Sequence, residues 1–302
     1  MIAAQADPPM AFERVFGLAL RAALVLTGSM LLLGARAANF RYECPPSAPR
    51  EPCALVLEGP IVAADAVTID TMLAGHNAAD NSFARWLVLN SPGGDVSEAG
   101  RIADVVRNRL LWTTNLNMVR YDTRSQAEEE AFGHVCASAC FLVLMAGGKR
   151  VLVSNPQSNA RIGLHRPPDG RAGHANANAA QAGRRQPDAE QSLRAFARRE
   201  QVPERLVEEM MARSSSEVYW LTRQDAASLS GYSTWFEEFA TAACGLDRRG
   251  EMDAWARHRQ AGSEEKRRIE AALLRQLTDV GYCLNEKARE AQRAKAMPSR
   301  QR

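Results

Sequence analysis

Four apolar residues in a row, Trp86-Leu87-Val88-Leu89, run into Asn90-Ser91-Pro92-Gly93-Gly94-Asp95. A short uninterrupted apolar run fits a strand covered on both faces, as in parallel sheets. Proline removes a backbone donor and paired glycines open positive-φ conformations, so the strand must end at this turn. Residues 96–111 then carry Val96, Ile102, Val105, Val106 and Leu110 at helical spacing. Strand, turn and helix in that order constrain the chain to a layered α/β fold.

The same rhythm continues on both sides. Residues 54–61 read as a first strand and 66–78 as a helix; 117–121 read as a further strand. Ser138 opens a short apolar helix that Gly147-Gly148 stops. Strands are expected at 150–153 and 160–165, the second ending on His165 before Pro167-Pro168. Residues 169–186 hold Gly, Ala, Asn and Arg without apolar periodicity and are expected to form a flexible surface insertion or lid. Residues 187–213 read as mostly helical, 219–222 as a short strand, 223–229 as a helix with Gly231 as its stop, and 251–284 as a charged helical region before a polar tail. The expected architecture is α/β with a mostly parallel sheet and a helical C-terminal region.

The N-terminus carries an address. Arg14 and Arg21 precede an apolar stretch over 22–34, followed by Ala35-Arg36-Ala37. That stretch is short for a bilayer core of about 30 Å but suits an export signal with small residues at the cleavage site. The expected domains are a signal at 1–37, an α/β domain at 38–240 and a helical extension at 241–302. An uncleaved membrane anchor is the alternative.

All six cysteines follow the cleavage site, and an even count in an exported chain suggests disulfides. Cys44 and Cys53 bracket a proline-rich loop and are natural partners; Cys244 and Cys283 could clamp the helical region. Cys136 and Cys140 are expected on one helical turn, where a bridge is strained, so both paired and free thiols stay open. No CxxC pair exists and the histidines are scattered, so no metal and no cofactor are expected. A net charge of +3 with arginine pairs at 184–185, 198–199 and 267–268 gives no case for nucleic acid.

Chemistry concentrates in three places. Ser138 lies between small residues at a helix start, where free N–H groups favour negative charge. Serine is also a preferred N-cap, which is the plain reading. His165 could return beside Ser138 through two short strands, or be structural. The Ser91-Pro92-Gly93-Gly94 turn could offer N–H groups to an anion, or be a turn and nothing more.

In combination these segments resemble the Clp protease proteolytic subunit and the wider ClpP/crotonase superfamily. The carriers are Leu87-Val88-Leu89-Asn90-Ser91-Pro92-Gly93-Gly94, then Ala137-Ser138-Ala139 with the apolar run to Ala146-Gly147 and Lys149-Arg150, then Ile162-Gly163-Leu164-His165-Arg166-Pro167, and finally Tyr219-Trp220-Leu221-Thr222 through Gly231. The resemblance covers roughly residues 55–234 and is closest to exported, stand-alone bacterial relatives. It implies a spiral of β-β-α units, with Ser138 as nucleophile, His165 as general base, and the N–H groups of Gly94 and Ala139 as oxyanion hole. Substrate would lie extended along Gly93-Gly94. The family's aspartate falls near Glu217 here, or at Val218 in the most literal alignment. The implied activity is a periplasmic or secreted serine peptidase acting on peptides or unfolded chains, self-associating, with no Clp ATPase partner. Two other readings stay open: an inactive peptide- or protein-binding module, and crotonase-type acyl-thioester chemistry, which export disfavours. A Ser/Lys mechanism would need Lys149, which follows the helix end.

Overall fold

A computed structural model describes residues 37–44, 52–80, 83–117, 133–166, 190–214 and 216–293. The expected export signal, the insertion at 169–186 and most of the strand expected at 117–121 lie outside the described residues. The fold is mixed α/β, in the order β1 (Asn39–Glu43), β2 (Cys53–Glu58), α1 (Asp65–Asp80), β3 (Ala84–Asn90), α2 (Val96–Asn108), β4 (Trp112–Thr114), β5 (Val135–Ala137), α3 (Ala139–Met145), β6 (Lys149–Val151) and β7 (Arg161–Leu164). A helix at 190–199 (α4) follows, then α5 (Glu204–Ala212), β8 (Tyr219–Trp220), α6 (Arg223–Leu229), β9 (Gly231–Tyr232), α7 (Thr234–Cys244), α8 (Arg248–Gln260) and α9 (Ser263–Arg293).

The larger sheet runs β1-β2-β3-β4-β6-β9, parallel from β2 through β6 and antiparallel at both edges. β3 is covered on both faces, as its apolar run requires. Leu87 and Leu89 pack with Leu55 and Leu57 of β2, Ile69 and Leu73 of α1, and Ile102 and Val106 of α2. Val88 packs on the other face with Ala54, Val56 and Trp86. Burying each such side chain contributes about 1.5–3 kcal/mol.

Asp95 caps α2, accepting from the Glu98 N–H at 2.8 Å. The buried stripe starts at Glu98 and Ala99, and Val96 is 39% exposed, so the apolar face begins one turn later than its spacing suggests. α2 also stops earlier than expected. Leu110 turns left-handed at φ 54°, which ends the helix and frees Trp112–Thr114 to form β4 between β3 and β6.

A second, smaller ladder carries the chemistry. β5, β7 and β8 form a three-stranded sheet, and isolated bridges Ser91↔Cys136 and Ile61↔Gly94 continue the pairing outward. In chain order a strand of the large sheet is followed by a short extended piece of this ladder and then by a helix. The first unit is β2, the extended piece at Ile61, and α1; the second is β3, the segment Ser91–Gly94, and α2. The third is β4, β5 and α3, and the fourth is β6, β7 and α4.

The C-terminal helices close one flank. Phe236, Ala240, Leu246, Val280 and Leu284 form a separate core against Trp112 and Tyr232. Gln292 of α9 pairs with the backbone of Ala84, its Oε1 accepting from the N–H and its Nε2 donating to the carbonyl. Disulfides join Cys44–Cys53, Cys136–Cys140 and Cys244–Cys283. The expectation that Cys136 and Cys140 share one helical turn is corrected: Cys136 lies on β5 and only Cys140 is helical, so the bridge ties a strand to a helix. Three disulfides indicate an oxidising, extracytoplasmic environment. Among the described residues no helix is long and apolar enough to cross a membrane.

Candidate active site

Ser138 is the pivot between β5 and α3, with φ 58° and ψ −127°. An L-residue in this region costs of order 1–3 kcal/mol and persists only where neighbours hold it. The holding contacts are visible: the Ser138 N–H donates to the Gly163 carbonyl at 2.9 Å, and the Ala137 N–H to the Ser91 carbonyl at 3.0 Å. The Cys136–Cys140 bridge spans the same corner. The plain N-cap reading does not hold, because the Ser138 hydroxyl makes no capping hydrogen bond. The hydroxyl sits on a half-buried residue with no side-chain partner among the described residues.

The glycine turn lies directly on this corner. Gly93 has φ 104°, and a Cβ built there would fall 2.6 Å from Ser138 Cβ and 3.1 Å from the Ala139 nitrogen. Gly94 has φ 142°, and its Cβ would fall 2.1 Å from the Ile61 carbonyl oxygen. Neither position tolerates a side chain. The Ile61 N–H donates to the Gly93 carbonyl at 2.8 Å. In a trans peptide the next N–H points the opposite way, so the Gly94 N–H faces away from Ile61. Among the described residues neither the Gly94 nor the Ala139 N–H has a hydrogen-bond acceptor. Ser91 braces the turn: its buried Oγ accepts from the Gly93 N–H at 3.1 Å. Its hydroxyl role was not legible in the sequence, where it reads only as part of the turn.

His165 follows β7 by one residue. β5 and β7 are parallel with Ala137 opposite Gly163, and adjacent strands lie about 4.8 Å apart. The register therefore carries the ends holding Ser138 and His165 side by side. No hydrogen bond joins the two side chains among the described contacts; His165 Nδ1 lies 2.8 Å from the Arg166 carbonyl. A carbonyl only accepts, so Nδ1 carries the proton and Nε2 presents the lone pair. Arg166 is itself fixed, its Nε donating to the Met211 carbonyl at 3.1 Å.

Glu217 is not brought onto His165. It is exposed, and its Oε2 accepts from the Ser214 N–H at 3.2 Å and the Ser214 hydroxyl at 3.1 Å. Those donors hold its carboxyl below the usual range. β7 pairs antiparallel with β8 through Gly163↔Trp220 and Leu164↔Tyr219. Extending that register sets Val218 across from His165.

Nearby, burial pushes the His134 imidazole down; Glu58 and Glu43 pull it partly back, and Arg41 opposes them. Lys149 lies over Trp112 and Tyr232 and takes no part in this corner. Among the described residues one group has metal-ligand spacing, Cys44, Cys53 and His76. Its two sulfurs are joined to each other, so neither is a thiolate ligand. The chain matches no protein-family model and no curated protein.

Proposed function

We propose that the chain is an exported serine hydrolase, a peptidase built on a ClpP/crotonase-like spiral of β-β-α units and working in the periplasm or outside the cell. One observation carries the reading: Ser138 is held at positive φ with an uncommitted hydroxyl beneath a side-chain-free glycine turn, beside two backbone N–H groups without acceptors. Serine hydrolases expose their nucleophile on a similarly sharp, strained turn between strand and helix.

His165 Nε2 takes the hydroxyl proton as Ser138 Oγ attacks the substrate carbonyl. The resulting oxyanion is received by the Gly94 and Ala139 N–H groups; losing one such donor typically costs about 10²–10³ in turnover. Protonated His165 then gives its proton to the leaving amine, and water releases the acyl group by the same path in reverse. The Arg166 carbonyl fixes the histidine tautomer, the part a triad carboxylate plays elsewhere. In this resting state the Ser138–His165 hydrogen bond is not made; it closes when substrate seats. Substrate lies extended along the Gly93–Gly94 edge, and the protein self-associates and acts without a Clp ATPase.

The open Ser138–His165 contact and the diverted Glu217 favour a second reading, an inactive peptide-binding module on the same scaffold. Fluorophosphonate labelling separates the two. The hydrolase reading expects wild type to label and Ser138→Ala not to. Undiminished labelling of Ser138→Ala removes Ser138 from the chemistry. Folded wild type that never labels yet retains peptides leaves the binding module.

A further inference from the structure

A cationic cluster lies under the C-terminal helices. Arg85 is only 1% exposed, although it is charged and immediately precedes the apolar run 86–89 of β3. Its guanidinium carbon lies 4.2 Å from the Trp112 ring centre and 5.6 Å from that of Phe236. One Nη donates to the Leu284 carbonyl at 3.1 Å, while Nε and the other Nη are buried without partners. Lys149 Nζ lies over the same Trp112 ring at 5.0 Å and over Tyr232 at 5.6 Å. The Trp112 indole N–H is also buried and unpartnered. Burial comes first in lowering the Lys149 ammonium, and repulsion from Arg85 and Arg248 adds to it. The two nearby carboxylates, Glu237 and Glu251, are both bound to Arg248. Two desolvated cations therefore share one aromatic ring, with no carboxylate bonded to either among the described residues. Glu251, the acid that acts on Lys149, is already paired with Arg248. The arrangement costs stability unless an anion joins it.

We propose that Arg85, Lys149 and the Trp112 N–H form a binding site for a small oxyanion, a carboxylate or a phosphate, reached past the half-buried Lys149 and Tyr232. The guanidinium offers two free donors in a planar fork, the ammonium a movable point charge, and the indole a third fixed N–H. Both ligand sources present the same feature, two or three oxygens sharing negative charge. The site belongs to the large sheet and its helical cover, so its occupancy does not depend on hydrolytic activity.

The test follows thermal unfolding and tryptophan fluorescence of the full chain during titration with sodium phosphate or sodium acetate, against sodium chloride at equal ionic strength. Saturable stabilisation by phosphate alone or by acetate alone supports the site and names its ligand; by both, it supports a general oxyanion site. Lys149→Met is expected to weaken binding by about thirtyfold or more and to unfold at higher temperature than wild type without anion, because the repulsion is gone. Trp112→Phe keeps the ring, deletes the N–H, and is expected to weaken binding as well. Shifts equal to those in chloride overturn the proposal, and so does unchanged affinity in both variants.

Discussion

Gly93 shows how narrow the tolerance at the candidate site is. Its φ of 104° and the 2.6 Å approach of a built Cβ to Ser138 Cβ leave no room for alanine. Gly93→Ala is expected to destabilise the fold by about 1–3 kcal/mol from backbone strain, more if Ser138 must move, and to abolish fluorophosphonate labelling; urea unfolding and labelling rates measure both. Ser138, His165 and the glycine pair stand out in the sequence only in combination and in order, because each alone has an ordinary structural reading. The acid does not stand out. β8 is two residues long, and shifting by one along a strand turns a side chain to the other face. The sequence offers both Glu217 and Val218 at that place, and only the pairing of β7 with β8 sets Val218 across from His165 while Glu217 turns to Ser214. Arg85 stands just before the apolar run 86–89, so the run alone does not mark it as part of β3.

Among the elements, the two disulfides outside the lead-in have different expected consequences. Cys244–Cys283 closes a separation of 39 residues and ties α7 to α9; replacing both cysteines with alanine is expected to cost about 4 kcal/mol. Cys136–Cys140 closes a separation of four, so its removal in the same way is expected to cost about 2 kcal/mol. The labelling rate per folded molecule should reverse this order. It should hardly change in the first variant and fall in the second, where Ser138 can relax from positive φ. Urea midpoints paired with labelling rates check both. The elements α1, β3 and α6 were readable from residue composition, apolar runs and turn residues. Short strands carry few alternations, so β6 and β7 were readable through the turn residues that bracket them, whereas β1, β4, β5 and β9 were not. β4 was hidden because Leu110 and Leu111 continue the spacing of α2.

Across the whole molecule, acid should loosen the fold through His134. Burial lowers its folded pKa below the unfolded value of 6.5, so the unfolded chain binds the extra proton first. Its contribution is complete above that value and is lost as pH falls through the folded one. Unfolding free energy measured between pH 7.5 and 5 should decline, and His134→Asn should flatten the slope. An equal slope in the variant would assign the effect to other groups. The α/β layering and its parallel pairing were written in the order of strands and helices. The second ladder was not, because its pairings join residues far apart in sequence, such as Ser91 with Cys136.

That ladder has a consequence for the order of assembly. Its proposed working parts arrive on three successive laps of the chain, Gly94 on one, Ser138 on the next and His165 on the last. A polypeptide halted after the second of these laps holds the Ser138 hydroxyl without the His165 imidazole proposed to deprotonate it. On the proposed hydrolase reading, competence requires the closing lap to dock, and a chain ending before His165 should take up no fluorophosphonate.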